Sequence, residues 1–374
     1  MKILFAGGGT GGHITPIIAI TREIKRVYPA DQIKLFFIGP KDDFNQMFLS
    51  QEGIRVNTIL AGKIRRYFDP ISVIQNILDV LIKTPVGIIQ AFSCVFSIAP
   101  DVIFSKGGYG SLPTIIAGWI LEVPIFLQES DIAPGLVNRF LSRFALEIFT
   151  SFPKTEYFPL SKVILIGNPI RREILTGSIE EAKQLFGLNL EKPIIFIIGG
   201  SQGSQRINEM LLQVLSEIVE KYEIIHQCGE KNFKQLSLEA RIVLKPGQEK
   251  YYHLIPFIKE LELKHAYAAS DLIVSRGGAA SIFEIAALGK PSVLIPLPES
   301  AQNHQLKNAY NYAENGATLV MEESNLTPRF FLERINYIFS HPDEMENMAE
   351  KAKEFARPNA ASIIADYLIS YLSQ

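Results

Sequence analysis

The sequence predicts an α/β protein built from two doubly wound domains with parallel sheets. Three observations carry this: short apolar runs alternate with longer amphipathic stretches, the two halves repeat one another, and each half sets two glycine-rich turns behind apolar runs. The first half offers strands at Lys2–Ala6, Ile33–Ile38, Ile54–Leu60, Val102–Ser105, Val123–Leu127, Ile148–Thr150 and Val163–Ile166. The second offers Ile194–Ile198, Glu223–Gln227, Leu272–Ser275 and Ser292–Leu297. Runs this short, bounded by Gly, Pro or Asp, suit strands buried on both faces of a parallel sheet. Between them apolar residues take helical spacing, as at Ile207, Met210, Leu211, Val214, Leu215 and Ile218.

The internal repeat is explicit. Ala99 to Ser111 (APDVIFSKGGYGS) aligns with Ala269 to Ser281 (ASDLIVSRGGAAS), and each is followed by an apolar helix and a strand after proline. Earlier in each half, Ala6 to Gly12 (AGGGTGG) matches Ile198 to Ser204 (IGGSQGS). Asn168-Pro169 opposes helix continuation, which puts the boundary there: residues 1–166 form one domain and 167–354 the other. The closing stretch, 355–374, can pack back on the first domain.

Composition narrows the function. A chain of 374 residues is too long for one ordinary domain, and 47% apolar with 20% charged residues excludes wholesale disorder. A net charge of −2 argues against a generic nucleic-acid binder. Cys94 and Cys228 form no Cys-x-x-Cys, so a reducing compartment is expected, with no disulfide scaffold or cysteine zinc site. The start, Met1–Ala6, runs straight into glycines and does not read as a secretory signal. The charge-free apolar stretch Thr84–Pro100 is interrupted by Pro85, Gly87 and Gln90 and falls short of the roughly 20 residues a spanning helix needs; a soluble chain is expected.

The glycine turns are the candidate binding sites. Gly7 to His13 (GGGTGGH) follows the first strand and opens a helix, where glycines admit a ligand close to the backbone and unpaired N–H groups favour an anion. It also satisfies G-x-G-x-x-G, but Gly39-Pro40 stands where a dinucleotide site wants an acid, and His13-Ile14 replaces the Lys-Ser/Thr of a P-loop. Gly199 to Gly203 fits G-x-S-x-G, which admits a hydrolase with Ser201, Asp271 and His304; the matching turn of the first half has Gly9 in the serine's place, so the glycines read as architectural. In the turn of residues 275–281 small residues leave room for a flat polar ligand, and Glu284, one helical turn beyond Ser281, can accept two ribose hydroxyls. The polar run 298–309 stands where an α/β ligand contact belongs, at the end of a strand.

Taken together, in this order and spacing, these motifs resemble the MurG family of bacterial UDP-N-acetylglucosamine transferases. The resemblance runs from Gly7 to Ala309 and includes Gly107-Gly108-Tyr109, Gln128 to Gly135 (QESDIAPG) with Asn138-Arg139, Gly167 to Arg171 (GNPIR), Gly199 to Gly203, the 275–289 loop and helix, and 303–309. It implies the GT-B architecture, two Rossmann-like domains facing each other across a cleft, with the donor UDP-GlcNAc held mainly by the second. On it, Ser201 meets the diphosphate, Arg171 reaches the nucleotide-sugar, backbone near Ile258 reads the uracil, and Glu284 takes the ribose. Ala279, Ala280, Ser281, Ile282, Phe283 and Gln305 border the GlcNAc, while Thr10, Gly11, Gly12 and His13 close over the donor from the acceptor side. Two positions depart from the family pattern: Asp131 stands where Asn is usual, and His304 replaces the Gln before Gln305.

The chemistry implied is inverting transfer of GlcNAc to the C4 hydroxyl of a polyprenyl-pyrophosphoryl-MurNAc-pentapeptide. No Asp-x-Asp occurs, and helix N-termini, Ser201 and Arg171 can hold the departing diphosphate, so neither a metal nor another cofactor is expected. His13 leads as catalytic base because neutral imidazole accepts a proton near pH 7; Glu129 and Asp131 are alternatives. A lipid acceptor implies a peripheral enzyme on the cytoplasmic face of the inner membrane, with an anionic membrane surface and other cell-wall synthesis proteins as partners. Ile71, Ile74, Ile77, Leu78, Leu81 and Ile82 fall at helical spacing near Lys63, Arg65, Arg66 and Lys83 and could supply that surface; a core-facing helix would show the same pattern. A UDP-GlcNAc 2-epimerase, another GT-B glycosyltransferase, a nucleotide-binding module and an NAD-dependent oxidoreductase are the rival readings.

Overall fold

Seven strands form one fully parallel sheet: β1 (Lys2–Ala6), β2 (Lys34–Gly39), β3 (Arg55–Thr58), β4 (Val102–Ser105), β5 (Ile125–Glu129), β6 (Glu147–Thr150) and β7 (Val163–Leu165), in the order β3-β2-β1-β4-β5-β6-β7. Six more, β8 (Ile194–Ile198), β9 (Glu223–Gln227), β10 (Tyr252–Ile255), β11 (Leu272–Ser275), β12 (Ser292–Leu294) and β13 (Leu319–Val320), form a second in the order β10-β9-β8-β11-β12-β13. These come from a computed structural model that describes residues 1–8, 11–29, 31–63, 69–153, 157–200 and 202–373. The chain divides into two units, Met1–Arg171 with Pro358–Gln374, and Arg172–Arg357. In each sheet the strand order reverses beside the first strand, between β1 and β4 and between β8 and β11, which is where α/β sheets bind ligands.

The repeat has a physical basis in register. Asp101 donates its N–H to Lys2 O (2.9 Å) and accepts the Lys2 N–H on Oδ2 (2.7 Å). Asp271 does the same with Ile194, at 2.8 and 2.7 Å. Each aspartate fixes the pairing of its sheet's central strands at their amino ends, opposite the glycine turns. The strands are apolar throughout because both faces are covered: Ile3, Leu4, Phe5 and Ala6 are all fully buried. Helix Ala360–Leu372 sends Ala361, Ile364, Ala365 and Leu368 into the same core as helix Gly11–Val27, and Tyr367 meets Phe126 and Phe149 edge-on at 5.6 and 5.4 Å.

Sequence patterning omitted β10 and β13. Both close the second sheet, where Tyr252–Ile255 is half-buried along its length and Leu319–Val320 is only two residues, so neither carries an uninterrupted apolar run.

One helical run departs from the sequence expectation. Helix Pro70–Leu78, a π turn at Asp79–Lys83 and helix Thr84–Ile98 join into 29 residues that, by length and composition alone, are long and apolar enough to cross a membrane. Pro85 does not break it, because proline is tolerated in a first turn and the wider π turn before it is tied by Thr84 Oγ1 donating to Asp79 O (2.9 Å). Lys83 pairs with the buried Asp79 at 2.5 Å. The run buries only a narrow stripe that includes Ser72, Asp79, Gly87, Ala91 and Val95. Ile71, Ile74, Ile77, Leu78, Leu81 and Ile82 are all 46% or more exposed, so the core-facing alternative does not hold.

Candidate active site

In the first unit, four strand ends deliver polar residues to one place. β1 runs through Gly7 into helix Gly11–Val27, whose first turn carries Gly12 and His13; Thr10 lies outside the described residues, as does the side-chain environment of Gly11. β4 continues into Lys106, Gly107 and Gly108. Both glycines have φ +77°, and a Cβ on Gly107 would lie 2.0 Å from Asn138 Oδ1, one on Gly108 2.8 Å from His13 Cε1. The bare backbone is thus what lets His13 and Asn138 close on this turn.

β5 supplies Glu129, buried at 6% exposure, and the Ser130-Asp131 turn. Glu129 Oε2 accepts from Asn138 Nδ2 (2.7 Å) and Oε1 from the Asp131 N–H (3.0 Å), while Asn138 Oδ1 accepts the Gly108 N–H (3.0 Å). Lys106 Nζ donates to Ser130 Oγ, which donates to Asn168 Oδ1 at 2.6 Å. Gln128 and Ser151, at the ends of β5 and β6, join the same network through Asn168, at 3.4 Å each.

The electrostatics follow from burial. His13 is pushed down to about 4, first by burial and then by the Lys106 charge, with Asp131 pulling upward. Lys106 is lowered to about 8 by burial, against the pull of Glu129 and Asp131. Glu129 is raised by burial and by the neighbouring Asp131. At neutral pH the site therefore offers a neutral imidazole, set against the Lys106 and Gly107 backbone.

In the second unit, β8 leads to Gly199 and Gly200, the latter at φ +90° with open space where a Cβ would be. Ser201 lies outside the described residues. Ser204 caps helix Gln205–Ile218 by accepting the Ile207 N–H (3.3 Å), and Arg276 ties it to the neighbouring strands by donating to Ser204 Oγ and to Ile295 O (3.0 Å) and pairing with Glu323. Ile258 is buried, and its N–H is given to Gln227 Oε1 (2.9 Å), whose Nε2 donates to Gly200 O (2.9 Å). That donor is committed within the chain.

Glu284 is buried and accepts from the Tyr267 hydroxyl at 3.2 Å. Ala279, Ile282 and Phe283 turn their side chains into the core, where Phe283 packs on Phe355 (5.3 Å); only Ala280 and Ser281 are partly exposed at the helix start. Gln305 Oε1 accepts the Leu297 N–H (3.0 Å), and Gly277 has no room for a Cβ against Gln305 O. His304 opens helix His304–Ala313 and is half-buried. The hydrolase alternative loses its acid, because Asp271 is committed to Ile194 at the opposite end of the sheet. Arg171 ends the first unit and is partly exposed.

Sequence reasoning did not single out Lys106, Asn138 or Asn168 as site residues. The repeat held the signal for the first: it aligns Lys106 with Arg276, and both are long cations that staple the turn behind a central strand.

Comparison with known proteins bears on this geometry. Residues 3–150 match the glycosyltransferase family 28 N-terminal domain and residues 194–364 the family 28 C-terminal domain. The UDP-N-acetylglucosamine–N-acetylmuramyl-(pentapeptide) pyrophosphoryl-undecaprenol N-acetylglucosamine transferase of Clostridium tetani is 35% identical over 369 residues, 98% of each chain. Its counterpart in Clostridium botulinum is 36% identical, covering 98% of this chain and 99% of its own. Among solved structures, Acinetobacter baumannii MurG superposes with a TM-score of 0.73 at 24% identity over 99% of both chains. A UDP-GlcNAc 2-epimerase from Neisseria meningitidis reaches 0.67 at 17% identity over 99% of this chain and 100% of its own, so the fold alone does not separate transferase from epimerase. Identity over nearly the whole length does: the chain belongs to the MurG family of N-acetylglucosaminyltransferases, within glycosyltransferase family 28.

Proposed function

We propose that this protein transfers GlcNAc from UDP-GlcNAc to the C4 hydroxyl of undecaprenyl-pyrophosphoryl-MurNAc-pentapeptide, the step that completes the lipid-linked disaccharide of peptidoglycan. The observation that carries this is the near-full-length identity to transferases named for these two substrates. The first unit supplies the proton chemistry. The C4 hydroxyl attacks C1 of the donor, the C1–O bond to the diphosphate breaks with inversion, and the hydroxyl proton passes to His13, neutral at pH 7. Glu129 braces the turn beside it, with both oxygens already hydrogen-bonded.

The second unit binds the donor. The open turn at Gly200 and the amino end of helix Gln205–Ile218 offer backbone N–H groups to the diphosphate, and Ser201 and Arg171 join them. Glu284 takes the ribose and Gln305 borders the sugar. Thr10, Gly11 and Gly12 line the acceptor side.

The protein works peripherally on the cytoplasmic face of the inner membrane. The exposed apolar side chains of the Pro70–Ile98 run enter the lipid interface, with Lys63 beside them; Lys83 is paired with Asp79, and Arg65 and Arg66 lie outside the described residues. Other cell-wall synthesis proteins are its natural neighbours there.

The deciding experiment is UDP release from UDP-GlcNAc, with and without the lipid-linked muramyl-pentapeptide. Release only with acceptor, accompanied by a β-linked disaccharide, is expected. UDP release or formation of the 2-epimer without acceptor would replace this reading with the epimerase one.

A further inference from the structure

Lys106 is the part of the first unit's site that this chemistry leaves without a task. It is 3% exposed at the carboxyl end of β4, and a lysine is rarely buried unless its charge is matched. Its N–H donates to Ala6 O (2.8 Å), its ammonium to Ser130 Oγ, and Ser130 passes the connection on to Asn168. The ring of His13 lies by the backbone of Lys106 and Gly107. Glu129 and Asp131, two residues apart, are linked through the Asp131 N–H. A pair of carboxylates without a cation would draw a proton onto the nearest base, which here is His13. Glu129 and Asp131 place two carboxylates at one turn, and the buried Lys106 ammonium is the cation that faces them.

We infer that Lys106 is a positioning residue of the transfer site: its ammonium pins the 129–131 turn through Ser130 and balances the Glu129 and Asp131 carboxylates, so that the His13 imidazole keeps its lone pair for the incoming hydroxyl's proton. Only the last clause rests on the transferase reading; the charge balance stands without it. The charges acting directly on His13 are Lys106, from the end of β4, and Asp131, from the turn after β5; Glu129 acts through both, and Asn138, Ser151 and Asn168 contribute dipoles only. Lowered to about 8, Lys106 is still mostly a cation at neutral pH.

The test follows the His13 imidazole by NMR titration of the full chain, assigned with an H13Q control. K106M keeps the length and packing of the stem without its charge, and should raise the His13 titration by about one unit or more, while K106R leaves it near wild type. K106M/D131N should bring it back down. A His13 titration that does not rise in K106M overturns the inference. If K106M does not fold, the same rise is read between D131N and K106M/D131N, and its absence overturns the inference equally. In turnover, K106M should lower kcat and shift the acid limb of the rate profile upward with donor KM unchanged; a higher donor KM at unchanged kcat would make Lys106 a donor-binding residue instead. Wild-type protein that transfers no GlcNAc would sink the transferase reading, and the His13 titration would still judge Lys106.

Discussion

Both carboxylate oxygens of Glu129 are taken up inside the site, one by Asn138 and one by the Asp131 N–H, which suits a brace better than a base. His13 carries the opposite signature, a ring that burial keeps neutral at pH 7. His13→Ala should therefore lower kcat by about 10²–10⁴-fold with little change in donor KM, measured by steady-state UDP release. Glu284→Ala should act on the donor, raising its Kd in calorimetric titration by roughly tenfold or more, since lost hydrogen bonds to a charged group are worth about 1.5–3 kcal/mol. Gly107→Ala would set a Cβ against Asn138 at a φ of +77° and should cost about 1–3 kcal/mol in denaturant unfolding, with activity falling alongside. The candidates His13, Glu129 and Glu284 were named from motifs. Lys106 was not, because lysine is ordinarily a surface residue and nothing local shows that its ammonium turns inward to Ser130.

At the scale of elements, strands with an uninterrupted apolar run were legible nearly to the residue, as β1, β4, β8, β9 and β11 show. Edge strands were not, since half-exposed sequence such as Tyr252–Ile255 resembles loop. The Pro70–Ile98 run shows a different limit. Its apolar spacing was visible, but periodicity is blind to whether an apolar face is covered, and only the burial of the small-residue stripe, with the large side chains left exposed, shows that it is not. Replacing Ile74 and Leu81, 59% and 69% exposed, with glutamate should weaken flotation with anionic vesicles by more than tenfold while leaving thermal unfolding unchanged. Undiminished flotation would move the membrane contact elsewhere.

For the whole molecule, buried histidines set the acid limit of stability. His226, fully buried between Tyr252 (2.9 Å) and Asn208 (3.1 Å), is lowered to about 3 by burial, well below its value of 6.5 in an open chain. Its folded form resists the proton that its unfolded form accepts, so stability is full above about pH 6.5 and drains away as pH falls toward 3, at about 1.4 kcal/mol per unit. His13 adds a second loss, between 6.5 and about 4. Urea midpoints should drop steadily below pH 6.5, and His226→Gln should flatten much of that slope; a midpoint indifferent to pH in the wild type would remove this explanation. The two-unit plan was legible because the halves repeat, and the return of the closing stretch to the first domain was admitted by the sequence; which core residues it would fill was not legible, since an amphipathic helix does not name them.

That last helix has a consequence for how the protein is born. The first unit begins with residue 1 but lacks Ile364 and Leu368 in its core until residues 358–374 exist. During synthesis the polypeptide between Arg172 and Arg357 can emerge and close on its own sheet first, while the opening half waits. Maturation thus runs against the order of translation, and a chain stalled before residue 358 would display a finished second unit beside a first unit still missing its keystone.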